Sequence, residues 1–385
     1  MLYRSLGQLQ PLLDADRKRR EVLAAEQARH LETLGLSNAT RQSFAFLYVT
    51  STIPCGEVYV VRHHTTNALY TLRQEVKDRM SEADERSRLL RELACLRAVN
   101  EASTQCSGLL PSLLRAFETG SDTSFLRGSG SVYLLFQQHV VTDLATLIED
   151  EPLSEAKALF AGASVAQALD VLHREAKVIY RNLAPDTVHV LGDGNVCLMD
   201  FRFARRDDGS CRTICGPVGA LAPEMVRGDV HGYAADWWAM GIFLYELVVG
   251  DSPWRAPGTS LETEEDETVI FSRIVSHTAG TLQLSEVSSE LLGALVNLLL
   301  DPNSETRLGS GGEDGGGAQV KADPWFEDVN WQRLVGSEVP SPFLTATAEM
   351  HKELLLSPSP NELLEGVMAS EETDPGASYN WLDES

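Results

Sequence analysis

The side chains that could do chemistry here begin with the thiols and a basic cluster. The six cysteines are Cys55, Cys95, Cys106, Cys197, Cys211 and Cys215. None forms a CxxC pair, and no His-x-His array accompanies them. A zinc site or a disulfide framework is not indicated, and reduced thiols of a cytoplasmic protein are the expectation. The basic cluster Arg17–Arg20 lies among Leu12, Leu13, Val22, Leu23, Leu31 and Leu34, whose spacing over 11–35 is helical. Such a cluster suits a partner or a membrane surface, and suits a solvated helix face more simply.

The elements that must position any site follow from length and pattern. A chain of 385 residues with 43% hydrophobic content can bury a sizeable core, which excludes wholesale disorder. Its net charge of −24 disfavours nucleic-acid backbones as partners. Residues 256–385 carry 5 Lys/Arg against 24 Asp/Glu, so the acidity belongs to the C-terminal third. The apolar run LLGALVNLLL (291–300) is shorter than a membrane span, and no transmembrane segment or secretory leader is expected. Period-2 patterning in FAFLYV, EVYVVRH and ALYTLR predicts strands over 44–74, and SVYLLFQQHV (131–140) predicts another. Residues 81–100 predict a helix. From about residue 142 helices dominate, interrupted by VHVLG and NVCLMDF around a Gly192-Asp193-Gly194 turn. GSGGEDGGG (309–317) reads as a flexible loop. Residues 336–385 carry five prolines and little periodicity, which suggests an extended tail lying on a folded body.

Three segments in order carry a family resemblance: VIYRNLAPDTVHVL (178–191), LMDFRFA (198–204) and TICGPVGALAPEM (213–225), the last followed by YAADWWAMGIFLYELVVGDSPW (233–254). Together they resemble a eukaryotic serine/threonine protein kinase. The Tyr-Arg start of the first segment, the DWW of the last and FEDVNWQRL (326–334) are similar to the cyclic-nucleotide-dependent AGC kinases, the cGMP-dependent type most of all. The resemblance implies an α+β bilobal fold with a small antiparallel-sheet lobe (44–140) and a large helical lobe (141–335). A helical segment (1–43) would precede it and an acidic AGC-type tail (336–385) would follow. The opening LYRSLGQLQPLLD also resembles the stretch after a cyclic-nucleotide-binding domain, which leaves a truncated product as one further reading.

The departures from the family pattern bear on function. The phosphate loop G-x-G-x-x-G-x-V reads S-T-I-P-C-G-E-V, Ser51 to Val58, and keeps only Gly56 and Val58. Ile53 is branched and Pro54 lacks an N–H, so the loop reads as a hairpin closure. Arg73 stands at the lysine position, a planar fork in place of a compact ammonium, and Glu92 matches its glutamate partner. Asn182 replaces the aspartate that accepts the nucleophile's proton; such help is worth roughly 10²–10⁴-fold. Ala184 replaces the lysine that steadies the phosphoryl group, and Thr187 replaces a metal-binding asparagine.

Asp200 matches the magnesium aspartate, but the glycine two residues on has become Arg202, and a lone carboxylate holds magnesium weakly. Thr71 and His189 place polar groups where the family keeps an apolar adenine slot, and Phe136 narrows it. ATP and magnesium are therefore weak expectations. Structural residues persist: Glu224 with Arg307, Asp236 as the anchor of the catalytic loop, and Arg181 facing a phosphorylatable Thr213. Asp143, Asp186 and Glu246 match arginine-recognising carboxylates. The resemblance as a whole implies a catalytically impaired kinase homologue that binds a protein or basic peptide partner, with an active kinase relative among the candidates. A low-activity ATP-dependent kinase using Asp200 and Arg73 is the alternative.

Overall fold

Apolar alternation builds the first sheet. On β1 (Phe44–Ile53), Phe44, Phe46 and Tyr48 are buried while the residues between them are not. β2 (Gly56–His63), β3 (Leu69–Val76), β5 (Ser131–Phe136) and β4 (Leu113–Glu118) follow in antiparallel order, the last two buried throughout. The structure is a computed structural model and describes residues 18, 22, 24–80, 83–102, 108–119, 130–255, 266–284, 289–311, 315–356 and 378–379. Ser378–Tyr379, β11, pairs with Phe117 and Ala116 and so covers the open edge of β4.

Residues 24–33 form α1. Leu31 and Leu34 pack on the sheet core of Leu36, Phe46, Tyr59 and Leu72. Gln27 Nε2 donates to the carbonyls of Leu113 and Leu114, and Arg115 Nη1 donates to the carbonyls of Leu36 and Ser37. The segment ahead of the strands is thereby stitched into the same unit. Leu12, Leu13, Arg17, Arg19, Arg20 and Leu23 lie outside the described residues.

The chain divides into two compact units, residues 1–81, 113–137 and 358–385 in one, and residues 82–112 and 138–357 in the other. The first holds the antiparallel sheet. The second is helical, as the α+β expectation has it. Its core helices are α4 (Glu155–Val171) and α6 (Ala234–Val249), both buried over most of their length. AADWWAMGIFLYELVV is apolar around the whole helix, so α6 must lie inside, and Gly250 ends it at φ 77°. The rest of the unit is α2 (Ala83–Ala102), α3 (Leu144–Ile148), α5 (Pro223–Val226), α7 (Glu267–Ser276), α8 (Glu290–Leu299), α9 (Gly317–Lys321), α10 (Trp331–Val335) and α11 (Leu344–Leu356). A small sheet joins β6 (Val140–Asp143), β8 (Val188–Leu191) and β9 (Val196–Leu198). β7 (Val178–Ile179) pairs with β10 (Arg205–Arg206), two short strands whose sequence carries no alternation.

Two sequence expectations need correction. The described glycines of 309–317 are close-packed rather than flexible. Trp237 Nε1 donates to the Gly315 carbonyl at 2.7 Å. Gly316 sits at φ 71°, where a Cβ would strike the Gly309 carbonyl. The tail is not simply extended, because residues 344–356 form α11, with Thr347 buried. Pro358, Pro360 and Pro375 lie outside the described residues.

Within the helical unit, Arg307 Nη1 and Nη2 reach Glu224 at 2.7 and 2.9 Å, and Nη1 also donates to the Ala234 carbonyl at 2.8 Å. Arg307 is 1% exposed and lies over the Trp238 ring. Glu224→Ala strands a buried guanidinium, and urea unfolding should show a loss of about 3–5 kcal/mol. Glu224→Ala combined with Arg307→Met should lose clearly less than the two single changes added together.

Candidate functional site

Asp236, fully buried at the start of α6, organises the loop after β7. Its Oδ2 accepts from Tyr180 N at 2.8 Å, and its Oδ1 accepts from Arg181 N at 2.7 Å. His173 Nε2 lies 2.7 Å from Oδ2. His173 stands on a single π-helical turn, Leu172–Ala176, that continues α4. These bonds hold Arg181 at φ 58°, a left-handed setting uncommon for residues other than Gly, Asn or Asp.

The three altered positions follow at once. Asn182 is 2% exposed, and its Nδ2 donates to the Asp200 carbonyl at 3.1 Å. Thr187 Oγ1 lies 2.5 Å from the Asn182 carbonyl and 3.0 Å from the Ala184 carbonyl, and accepts from Ala184 N at 3.0 Å. Its hydroxyl therefore clasps the loop to itself. Ala184 is buried and carries no charge toward the site.

Asp200 faces Arg202. Arg202 Nε lies 2.9 Å from both carboxylate oxygens, and Nη2 lies 2.5 Å from Oδ2. A divalent cation does not fit this arrangement, because Asp200 is already filled by a guanidinium and the Thr187 oxygen by its own loop. Among the described residues no group of three His, Cys, Asp or Glu side chains is placed to hold a metal. Sequence reasoning noted Arg202 only as a lost glycine. The i,i+2 spacing of an acid and an arginine was the signal for the pair.

The carboxylates come partly together. Asp143 caps α3 by accepting from Thr146 N at 2.8 Å. Asp186 is exposed; desolvation raises its pKa most, and the charges of Asp143 and Asp200 add to that. Burial pushes the partly buried Glu246 up to about 8, helped by Asp186 and Asp251. His189 is held below its usual range by burial, against the pull of Asp200, Asp143 and Asp186. Asp251 was missed in the sequence, where nothing ties it to Asp186.

In the sheet unit, Ile53 pairs with Gly56 across a two-residue turn, Pro54-Cys55. The turn is fastened down: the Cys55 carbonyl accepts from Val76 N at 2.7 Å, and the buried Cys55 thiol meets the Arg79 carbonyl at 3.7 Å. A Cβ on Gly56 would strike the Gln74 carbonyl, so this glycine serves strand packing. Val58 stands opposite Arg73, and Thr71, 1% exposed, stands opposite Phe136. Arg73 is buried and meets Glu75 at 3.0 Å. Glu92 belongs to the other unit, where Arg88 reaches it at 3.5 Å.

Thr213 is exposed. Arg181, expected to face it, donates through Nε to the Phe203 carbonyl and through Nη1 to Cys211 Sγ, each at 2.9 Å. Arg205 is paired with Asp208 at 2.6 Å.

Glu246 sets a pH dependence. Its folded pKa lies above the ordinary 4.5, so the folded chain keeps a proton that the unfolded chain gives up. Its contribution is complete below about pH 4.5 and is lost as pH rises through about 8. Between pH 5 and pH 8 this group should remove about 1–3 kcal/mol of stability. Glu246→Gln should flatten that slope in denaturant unfolding and leave the variant the more stable chain at pH 8.

Known proteins resemble this chain over most of its length. RAC serine/threonine-protein kinase of Drosophila melanogaster is 28% identical over 361 residues, covering 90% of this chain and 54% of that protein. The cAMP-dependent protein kinase catalytic subunit of Dictyostelium discoideum is 26% identical over 345 residues, covering 87% and 48%. Serine/threonine-protein kinase N3 of Mus musculus is 30% identical over 310 residues, covering 79% and 32%. The chain thus spans about half the length of the first two relatives and about a third of the last. All three are AGC-type serine/threonine kinases. The protein kinase domain family matches residues 54–326, the stretch that runs from the fastened turn through the Glu224–Arg307 pair, and the chain belongs to that family.

Proposed function

We propose that this chain is a catalytically impaired protein kinase homologue, a pseudokinase of cGMP-dependent-like type, that acts by binding a protein. One observation carries the reading: the Asn182 amide, at the position of the proton acceptor, donates its own hydrogen to the Asp200 carbonyl. An amide has no useful basicity, and general-base help of roughly 10²–10⁴-fold goes with it. The missing lysine at Ala184 and the self-clasped Thr187 bear on the same transition state, so their effects overlap rather than multiply. The low-activity kinase reading keeps one favourable observation, the intact Asp236 anchor.

The partner we infer is an arginine-bearing basic peptide, held by Asp186 and Glu246 with Asp143 nearby. A captured peptide would stay unmodified, which suits competition with an active relative in the cytoplasm. The scattered cysteines support that reading, since no two of the five described ones form a disulfide.

Two measurements check the reading. Phosphoryl transfer from ATP and magnesium to a basic peptide should remain at background, and Asn182→Asp alone should not rescue it. Robust transfer by the unmodified chain would promote the low-activity reading. Calorimetry with an arginine-rich peptide should show binding that strengthens from pH 6 toward pH 8 as Glu246 loses its proton, and that weakens steeply with salt. Binding indifferent to Glu246→Ala, or no heat beyond that of an acidic scrambled control, removes the peptide reading.

A further inference from the structure

We propose that Arg202 is the resident cation of the Asp200 turn and bars a divalent metal ion from it. The inference rests on the second unit alone and does not depend on which partner the chain binds. Two guanidinium nitrogens of Arg202 close on both oxygens of Asp200, at 2.9, 2.9 and 2.5 Å. The backbone N–H of Arg202 adds a third donor, 3.1 Å from Oδ1. One residue thus directs three donors at one carboxylate. Magnesium binds oxygen at ~2.0–2.1 Å in a near-octahedral shell, and the space it needs on Asp200 is taken by N–H groups.

Charge works in the same direction. A guanidinium does not lose its proton in proteins, so its charge is permanent. The two side chains are 20% and 14% exposed, where repulsion between a guanidinium and an incoming dication is weakly screened. The surroundings also call for a cation. Asp200, Asp143 and Asp186 all raise the His189 pKa, while Arg202 lowers it. The chain supplies the countercharge covalently, where an exchangeable ion would otherwise have done so. Thr187 offers no alternative ligand, because its hydroxyl is bonded within its own loop.

A tethered cation differs from an ion in one consequence. The turn from Asp200 to Ala204 is closed by Ala204 N donating to the Phe201 carbonyl at 3.0 Å. With Arg202 in place it is held in one setting without a ligand, so metal availability cannot switch it.

Manganese is the probe, because its electron spin reports binding directly and needs neither nucleotide nor peptide. The full chain is titrated with Mn²⁺ by electron paramagnetic resonance, with thermal melting as a second readout. The unmodified chain should take up Mn²⁺ no better than Asp200→Asn does. Arg202→Gly and Arg202→Gln should each bind Mn²⁺ about tenfold or more tightly, with a matching rise in Tm. Adding Asp200→Asn to either should abolish the gain. Two variants of different length guard against one failing to fold, and far-ultraviolet circular dichroism checks each. Mn²⁺ binding by the unmodified chain that Asp200→Asn removes would overturn the proposal. Folded Arg202 variants that bind no more Mn²⁺ than the unmodified chain would overturn it equally. Neither result would touch the phosphoryl-transfer and peptide measurements, so the two readings fail separately.

Discussion

Asp236 is a fully buried carboxylate, and the geometry of the second unit depends on how its charge is satisfied. A buried carboxylate without donors is costly, and this one receives two backbone N–H groups and an imidazole. The energy of those bonds is what holds Arg181 at positive φ. Arg181 in that setting directs the following residues toward the Asp200 turn. The π-helical turn at Leu172–Ala176 serves the same end, because it carries His173 to the carboxylate. The Trp237 bond to Gly315 then seals the region, and glycines at 315 and 316 allow the backbone to come that close.

On this preserved frame the polar groups have turned inward. In a nucleotide-transferring site, carboxylate, amide and loop donors await a ligand. Here Asn182 is satisfied by the Asp200 carbonyl, Thr187 by its own loop, Asp200 by Arg202, and the turn at Cys55 by Val76. Buried polar groups need partners, and at these positions the protein itself supplies them.

The acids behave differently. Burial disfavours the charge of Glu246 most, and the neighbouring charges of Asp186 and Asp251 add to that. A guanidinium placed beside these acids would favour the ionised form and gain the attraction of all three. That electrostatics separates the acidic cluster from the self-contained Asp200 turn, and it is the ground on which we propose binding.

How much of this was legible in the sequence differs by residue. The order of motifs indicated the α+β class, and the change from period 2 to helical spacing indicated the strands over 44–74 and 131–140 and the helix over 81–100, because hydrophobic periodicity is a local property. The residue types at Asn182, Ala184 and Thr187 were likewise legible, since each stands at a motif position. What their side chains bond to was not legible. Whether Thr187 points outward or clasps its own loop depends on loop geometry that Asp236 sets from 49 residues farther along. Residues 309–317 have the composition of a linker, and the close packing of the described glycines, Gly309 on Trp237 and Gly315 on His173 among them, is decided by the fold. Residues 344–356 were read as tail, and only the fold shows α11 seated there, where Ser341 Oγ donates to the Gly194 carbonyl and Thr347 is buried. Composition and spacing determined which groups the chain owns. Tertiary structure decided which of them face each other, because hydrogen bonds and charge interactions act over a few ångströms of space and take no account of distance along the chain.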